Sequence, residues 1–185
     1  MPPARLFRSV ASAKDGLAGR KLSLTVGNFD GMHRGHRALF DEVKQIQAEA
    51  RVLLTFHPHP RFFFKRMRGE ALAPEDRLIT PICRKFQLAA ELGFDAVVSI
   101  GFNSALAALP PLAFVEQNIL ALGDISGVVV GEDWCFGKNR SGNAGLLREI
   151  AEKHGFELRV VCDQNCNGSR VSSSRIRSLL MAGEV

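Results

Sequence analysis

The chain has 185 residues and 46% hydrophobic content, enough for the core of one domain with at most a small appendage. No apolar run approaches the length that spans a bilayer, residues 1–21 lack the central apolar block of a secretory signal, and four scattered cysteines without a Cys-x-x-Cys pair make no disulfide framework. A cytoplasmic protein with reduced thiols is expected, and the formal charge of +5 suits polyanionic ligands, nucleic acid included, without choosing among them.

Residues 1–20, a mixture of basic and small residues, read as an N-terminal extension. Leu22, Leu24 and Val26 then alternate as in a strand, and Leu39, Val43, Ile46 and Ala50 recur at helical spacing. Between them lies Gly27-Asn28-Phe29-Asp30-Gly31-Met32-His33-Arg34-Gly35-His36, which therefore occupies a strand-to-helix turn. The unpaired N–H groups and dipole of the helix start favour an anion there, phosphate above all. Gly27, Gly31 and Gly35 leave room for backbone and ligand, while His33 and His36 project to one side as further donors. A surface histidine pair without a ligand, or a metal site, are the competing readings of the same spacing.

Residues 51–56 form a second strand, apolar enough to be buried on both faces, and His57-Pro58-His59-Pro60-Arg61 continues it as a rigid loop because alternate prolines remove backbone donors. Residues 61–68 interleave basic and aromatic side chains. They read as a loop whose aromatics cover a ligand pocket, or as a binder of single-stranded nucleic acid. A helix from Pro81 places Ile82, Phe86, Ala89 and Leu92 on one face and ends at Gly93. A strand at 96–100, a turn at Gly101-Phe102-Asn103, and a helix after Pro110-Pro111 with Leu112, Val115, Ile119 and Leu122 on one face follow in order.

Val128, Val129 and Val130 make a fourth strand that enters a glycine-rich second candidate loop, 131–142, with Trp134, Phe136, Asp133 and Arg140. A helix with Leu147, Ile150 and His154 on one face leads to a fifth strand at 157–161. Cys162 and Cys166 with Asp163 could be half a zinc site, but no second half is evident. In the closing stretch Arg170-Val171-Ser172-Ser173-Ser174-Arg175-Ile176-Arg177 a serine can cap the last helix. The arginines in its first turns oppose the helix dipole unless an anion binds among them; otherwise they form a solvated basic face.

Alternating strands and helices predict an α/β fold, a Rossmann-like doubly wound parallel sheet of about five strands. Ligands of such sheets bind beyond the carboxyl ends of the strands, and the special segments all follow predicted strands, so they should converge on one cleft.

Four motifs in order carry a resemblance: Gly-Asn-Phe-Asp-Gly-x-His-x-Gly-His, Thr-Phe-x-Pro-His-Pro, Val-Val-Gly-Glu-Asp-x-x-Phe-Gly-x-x-Arg-Ser-Gly and Val-Ser-Ser-Ser-Arg-Ile-Arg. Together they resemble the adenylyltransferase module of the prokaryotic bifunctional riboflavin kinase/FMN adenylyltransferase family, also called FAD synthetase, from about Lys21 to the end. The resemblance implies a nucleotidyltransferase domain over 21–185 that joins FMN and ATP into FAD and pyrophosphate, with magnesium as metal partner and no protein metal ligand. It implies small-molecule substrates rather than membrane or nucleic acid as partners.

By the same resemblance His33 and His36 hold the ATP phosphates, Ser172, Ser173 and Arg175 join them from the far side, and Asn28 and Asp30 sit at the reacting phosphates. Gly27, Phe29, Gly31, Gly35 and Arg177 complete the phosphate side. Phe56, His57, Pro58, His59, Arg61, Asp133, Phe136 and Arg140 shape the flavin and adenine pockets. Two departures fall on the flavin side: His57 replaces an acidic residue common in the second motif, and Trp134-Cys135 replaces a pair that often contains Phe and Arg. The kinase module that normally follows is absent, with no Pro-Thr-Ala-Asn motif, so a single-function form or a piece of a longer chain is expected. The rival functions are a related nucleotidyltransferase with another phosphorylated acceptor, such as a pantetheine or nicotinamide mononucleotide, and a flavin- or nucleotide-binding module without turnover.

Overall fold

A computed structural model describes residues 4–166 and 169–184. In chain order the elements are β1 (Arg5–Phe7), α1 (Val10–Leu17), β2 (Lys21–Val26), α2 (Arg34–Gln45), β3 (Ala50–His57), α3 (Pro60–Met67), α4 (Ile82–Glu91), β4 (Ala96–Gly101), α5 (Ser104–Ala107), α6 (Pro111–Asn118), β5 (Asp124–Gly131), α7 (Ala144–His154), β6 (Glu157–Val161), a short hairpin β7 (Asn165–Cys166) and β8 (Ser169–Arg170), and α8 (Ser173–Ala182).

The first six strands form one sheet in the order β1-β4-β3-β2-β5-β6, with every pairing parallel. The strand order reverses between β2 and β5, and a ligand crevice is expected at that switch point. Period-two alternation divides the apolar side chains between the two faces. Val52 and Leu54 of β3, Val98 of β4 and Val128 and Val130 of β5 pack with α1, α6 and α7 residues such as Leu17, Val115 and Leu147. Leu53, Val97 and Val129 point the other way, into Phe40 and Val43 of α2 and Ala89 of α4. Full burial of a side chain such as Phe40 contributes roughly 1.5–3 kcal/mol.

The doubly wound sheet expected from the sequence is present, with six strands rather than about five. The extra strand comes from the segment read as an N-terminal extension: Arg5–Phe7 pairs with Ala96, Val97 and Val98, and α1 buries Ala13 and Leu17 behind it. Residues 1–3 of that segment lie outside the described residues. A strand of three residues and a helix of eight carry too little periodicity to read from sequence.

The stretch 61–68 is helical rather than a loop. Pro60 starts α3 where a missing N–H costs nothing, His59 caps it by accepting from the Arg61 N–H at 3.1 Å, and Arg61 and Lys65 both pair with the buried carboxylate of Asp76 at 2.6 Å. Its basic side chains are thus partly committed inside the protein, which weakens the nucleic-acid reading. Leu112 and His154, expected on apolar faces, are exposed; the helices turn Phe114 and Ala151 inward instead. Cys83, Cys135 and Cys162 are free thiols, and the side chain of Cys166 is outside the described residues. No helix among the described residues is long and apolar enough to cross a membrane.

Candidate active site

At the end of β2 the chain makes a compact turn whose backbone is fixed from several directions. A Cβ on Gly27 would sit 2.9 Å from the Phe29 ring, so the glycine lets that ring fold back over the strand end, with Phe29 itself at φ +46°. Asp30 is 1% exposed, and its carboxylate accepts from the Thr80 N–H at 2.9 Å and pairs with Arg177 at 3.2 Å. Its carbonyl accepts from Ser173 Oγ at 2.7 Å, and the Gly31 N–H donates to Thr80 Oγ1 at 3.0 Å. The turn and the start of α8 are therefore one unit, although they lie at opposite ends of the sequence.

On this base the imidazoles of His33 and His36 stack with ring centres 3.7 Å apart. His33 Nε2 lies 3.4 Å from Ser173 Oγ, and both Nδ1 atoms are buried without a partner among the described residues. A Cβ on Gly35 would come 3.2 Å from His33 Nδ1, which explains the glycine between the histidines. Burial lowers the pKa of His36 to about 3, helped by the neighbouring His33 and Lys85. Burial likewise lowers that of His33, against the pull of Asp30, and brings His59 to about 4. The rings are neutral at pH 7 and act as hydrogen-bond partners rather than as fixed cations.

These shifts carry a stability consequence. A histidine whose folded pKa lies below its ordinary 6.5 binds fewer protons folded than unfolded, so stability falls as pH drops below that value. His36 and His59 should each contribute up to about 1.4 kcal/mol per pH unit between about pH 6 and 4. Urea unfolding should give a lower midpoint at roughly pH 5 than at pH 7, and H36N should shrink the difference; an unchanged difference in the variant would contradict the buried neutral ring.

The imidazoles form one end of a cleft of about 900 Å³. That end is also lined by Gly27, Asn28, Phe29, Gly35, Ser172, Ser173 and Arg177. Ser172 caps α8 by accepting from the Arg175 N–H at 3.2 Å, so the helix start faces the cleft. The other end is aromatic: Phe56, Phe102, Phe114, Trp134 and Phe136 line it, with Trp134 stacked on Phe136 at 4.4 Å and Phe114 beside both. His59, Arg61, Asp133 and Arg140 stand along the same walls. Arg170 closes the rim through ion pairs to Asp133 and, at 2.8 Å, to Asp163.

Five sequence candidates, Asp30, Gly31, His57, Pro58 and Arg175, fall outside the cleft lining. Asp30 is beneath the floor and acts through Arg177 and Thr80. Arg175 lines a neighbouring pocket with Gly31, Arg34 and Arg37 while Arg177 lines the cleft, as positions about 200° apart around a helix allow. His57 and Pro58 are exposed and outside the lining. The turn at Gly101-Phe102-Asn103 reaches the cleft as expected, through Phe102; sequence reasoning missed Phe114 as a wall residue, Thr80 as the partner of the turn, and Lys85, whose only signal was a cation at a core position of an apolar helix face.

Residues 17–175 match the FAD synthetase family. A bifunctional riboflavin kinase/FMN adenylyltransferase of Listeria monocytogenes is 32% identical over 165 residues, covering 88% of this chain and 50% of that protein. A FAD synthetase of the same organism is 29% identical over 166 residues, covering 89% of this chain and 65% of that one. The chain thus spans about half the length of the first of these curated relatives. Among solved structures, a macrolide-efflux protein from Streptococcus pneumoniae matches the whole of this chain and 59% of its own with a TM-score of 0.80 at 23% identity, a likeness of fold. The family match embraces the imidazole turn, the aromatic wall and the start of the capping helix, and the chain belongs to the FAD synthetase family.

Proposed function

We propose that the chain is an FMN adenylyltransferase, transferring AMP from ATP to FMN with release of pyrophosphate. The observation that carries the reading is the division of one cleft into a donor-rich end, with His33, His36, Ser173 and Arg177, and an aromatic end, with Trp134 stacked on Phe136. Phosphates suit the first and a planar flavin ring the second.

In the reaction an oxygen of the FMN phosphate attacks the α-phosphorus of ATP in line. The bond from that phosphorus to the bridging oxygen breaks, and pyrophosphate carries the electron pair away. No protein nucleophile takes part, so the chain contributes positioning and charge stabilisation. His36 and His33 donate to phosphate oxygens, Arg177 and the N–H groups opening α8 meet the charge that grows on the leaving group, and the aromatic wall holds the flavin at the angle of attack. Among the described residues no three His, Cys, Asp or Glu side chains converge to hold a metal. Magnesium would enter with the ATP substrate, as the counter-ion that a triphosphate requires, and would supply charge neutralisation there. The same reading takes the protein as cytoplasmic, where ATP is abundant, with any riboflavin kinase step supplied from outside these residues.

Incubation of the purified protein with FMN, ATP and magnesium should give FAD and pyrophosphate in equal amounts. Pyrophosphate release with 4′-phosphopantetheine or nicotinamide mononucleotide but not with FMN would transfer the reading to another acceptor.

A further inference from the structure

Lys85 is 3% exposed and sits on α4 between Ile82 and Ala89, on the face turned to the sheet, where an aliphatic side chain is the ordinary occupant. Its Nζ donates to the main-chain carbonyl of Asn28 and, at 3.4 Å, to Thr55 Oγ1, while that hydroxyl donates to the same carbonyl at 3.3 Å. Asn28 is where the chain leaves β2 for the imidazole turn, and it lines the cleft. The ammonium therefore ties the floor of the donor-rich end to a helix that never reaches the cleft surface.

The charge balance beneath this floor is uneven. Two cations, the buried Lys85 and the partly exposed Arg177, face one buried carboxylate, Asp30, which also accepts from Thr80. The other titratable groups that act with Lys85 are His36 from α2 and His59 at the start of α3, both neutral at pH 7. On α4 itself Arg84 is exposed and paired with Glu91 at 3.1 Å. One positive charge is left over.

We propose that Lys85 is a positioning residue for the nucleotide: it fixes the Asn28 turn from below and supplies buried positive charge whose counter-charge is the bound polyphosphate. The role rests on reading the cleft as a nucleoside triphosphate site. Burial lowers the ammonium pKa to about 8, against the raising influence of Asp30. A polyanion overhead raises it again, so binding in mildly alkaline solution takes up a proton. Because the folded pKa lies below the ordinary 10.5, folding stability rises with pH through the interval between the two values while polyphosphate affinity falls. A lysine with a merely structural role shows no such opposition.

The test is calorimetric binding of magnesium ATP without FMN, from about pH 7 to 9, in buffers of differing ionisation enthalpy, for wild type and Lys85→Met. Wild type should lose about tenfold in affinity across the range and take up a proton near pH 8. The variant should bind about tenfold more weakly at pH 7, lose the proton uptake, and melt no lower than wild type, since removing an uncompensated buried charge costs no stability. Equal affinity in the two proteins, or a wild-type affinity flat with pH and free of proton uptake, overturns the role; the wild-type measurement decides even should the variant not fold. Wild type that binds magnesium ATP with these properties yet makes no FAD leaves the role standing and removes the proposed reaction instead.

Discussion

Replacing Arg177 by leucine is expected to cost adenylyl transfer at least about a hundredfold in kcat/KM and to destabilise the fold by about 3 kcal/mol. Both effects stem from one contact. The guanidinium pairs with Asp30 at 3.2 Å, and the carboxylate is 1% exposed, so removing the guanidinium breaks the direct ion pair of a buried charge and leaves Lys85, which does not touch it, as the nearby offset. For a chain of this length the loss corresponds to a melting temperature lower by about 6–12 °C. The double variant D30N/R177L separates the two contributions. An asparagine at 30 can still accept from the Thr80 N–H and carries no charge, so the double variant should regain most of the stability while turnover stays low. Recovery of activity along with stability would show that Arg177 serves the fold alone.

The second large effect is that of His36→Ala. Loss of one preorganised donor at the reacting phosphates should lower kcat by about a hundredfold while FMN affinity, governed by the aromatic wall, stays within about twofold. His36 stacks on His33 and meets Phe29 edge to face at 5.3 Å, so the alanine variant also loosens the turn. His36→Asn, which keeps a polar group of similar reach, should restore part of the stability and little of the turnover. Wild-type turnover in either variant would defeat the assignment, and steady-state kinetics with flavin fluorescence titration reads both quantities.

Much of this was legible in the residue order because the relevant signals are local. The shift from alternating to helical spacing around residues 27–36 located the turn, and glycines flanking paired histidines indicated a ligand there. Four special segments, each after a strand, pointed to one cleft, and each contributes residues to its lining. What escaped was decided by partners distant in sequence. Asp76 holds Arg61 and Lys65 and so makes a helix of a stretch that reads as loop. Arg175 and Arg177 are equivalent as letters, and helical rotation sends one to the cleft and the other behind it. Lys85 shows in the residue order only as a cation within an apolar helix face, and its burial follows from the strand ends beneath which it lies.

The joint between the imidazole turn and α8 bridges positions 147 residues apart. A polypeptide emerging from the ribosome therefore displays its two histidines long before the serine and arginine that complete this joint exist. On the proposed reading nucleotide binding and the seating of α8 stabilise each other, so saturating ATP should slow proteolytic removal of residues beyond 171.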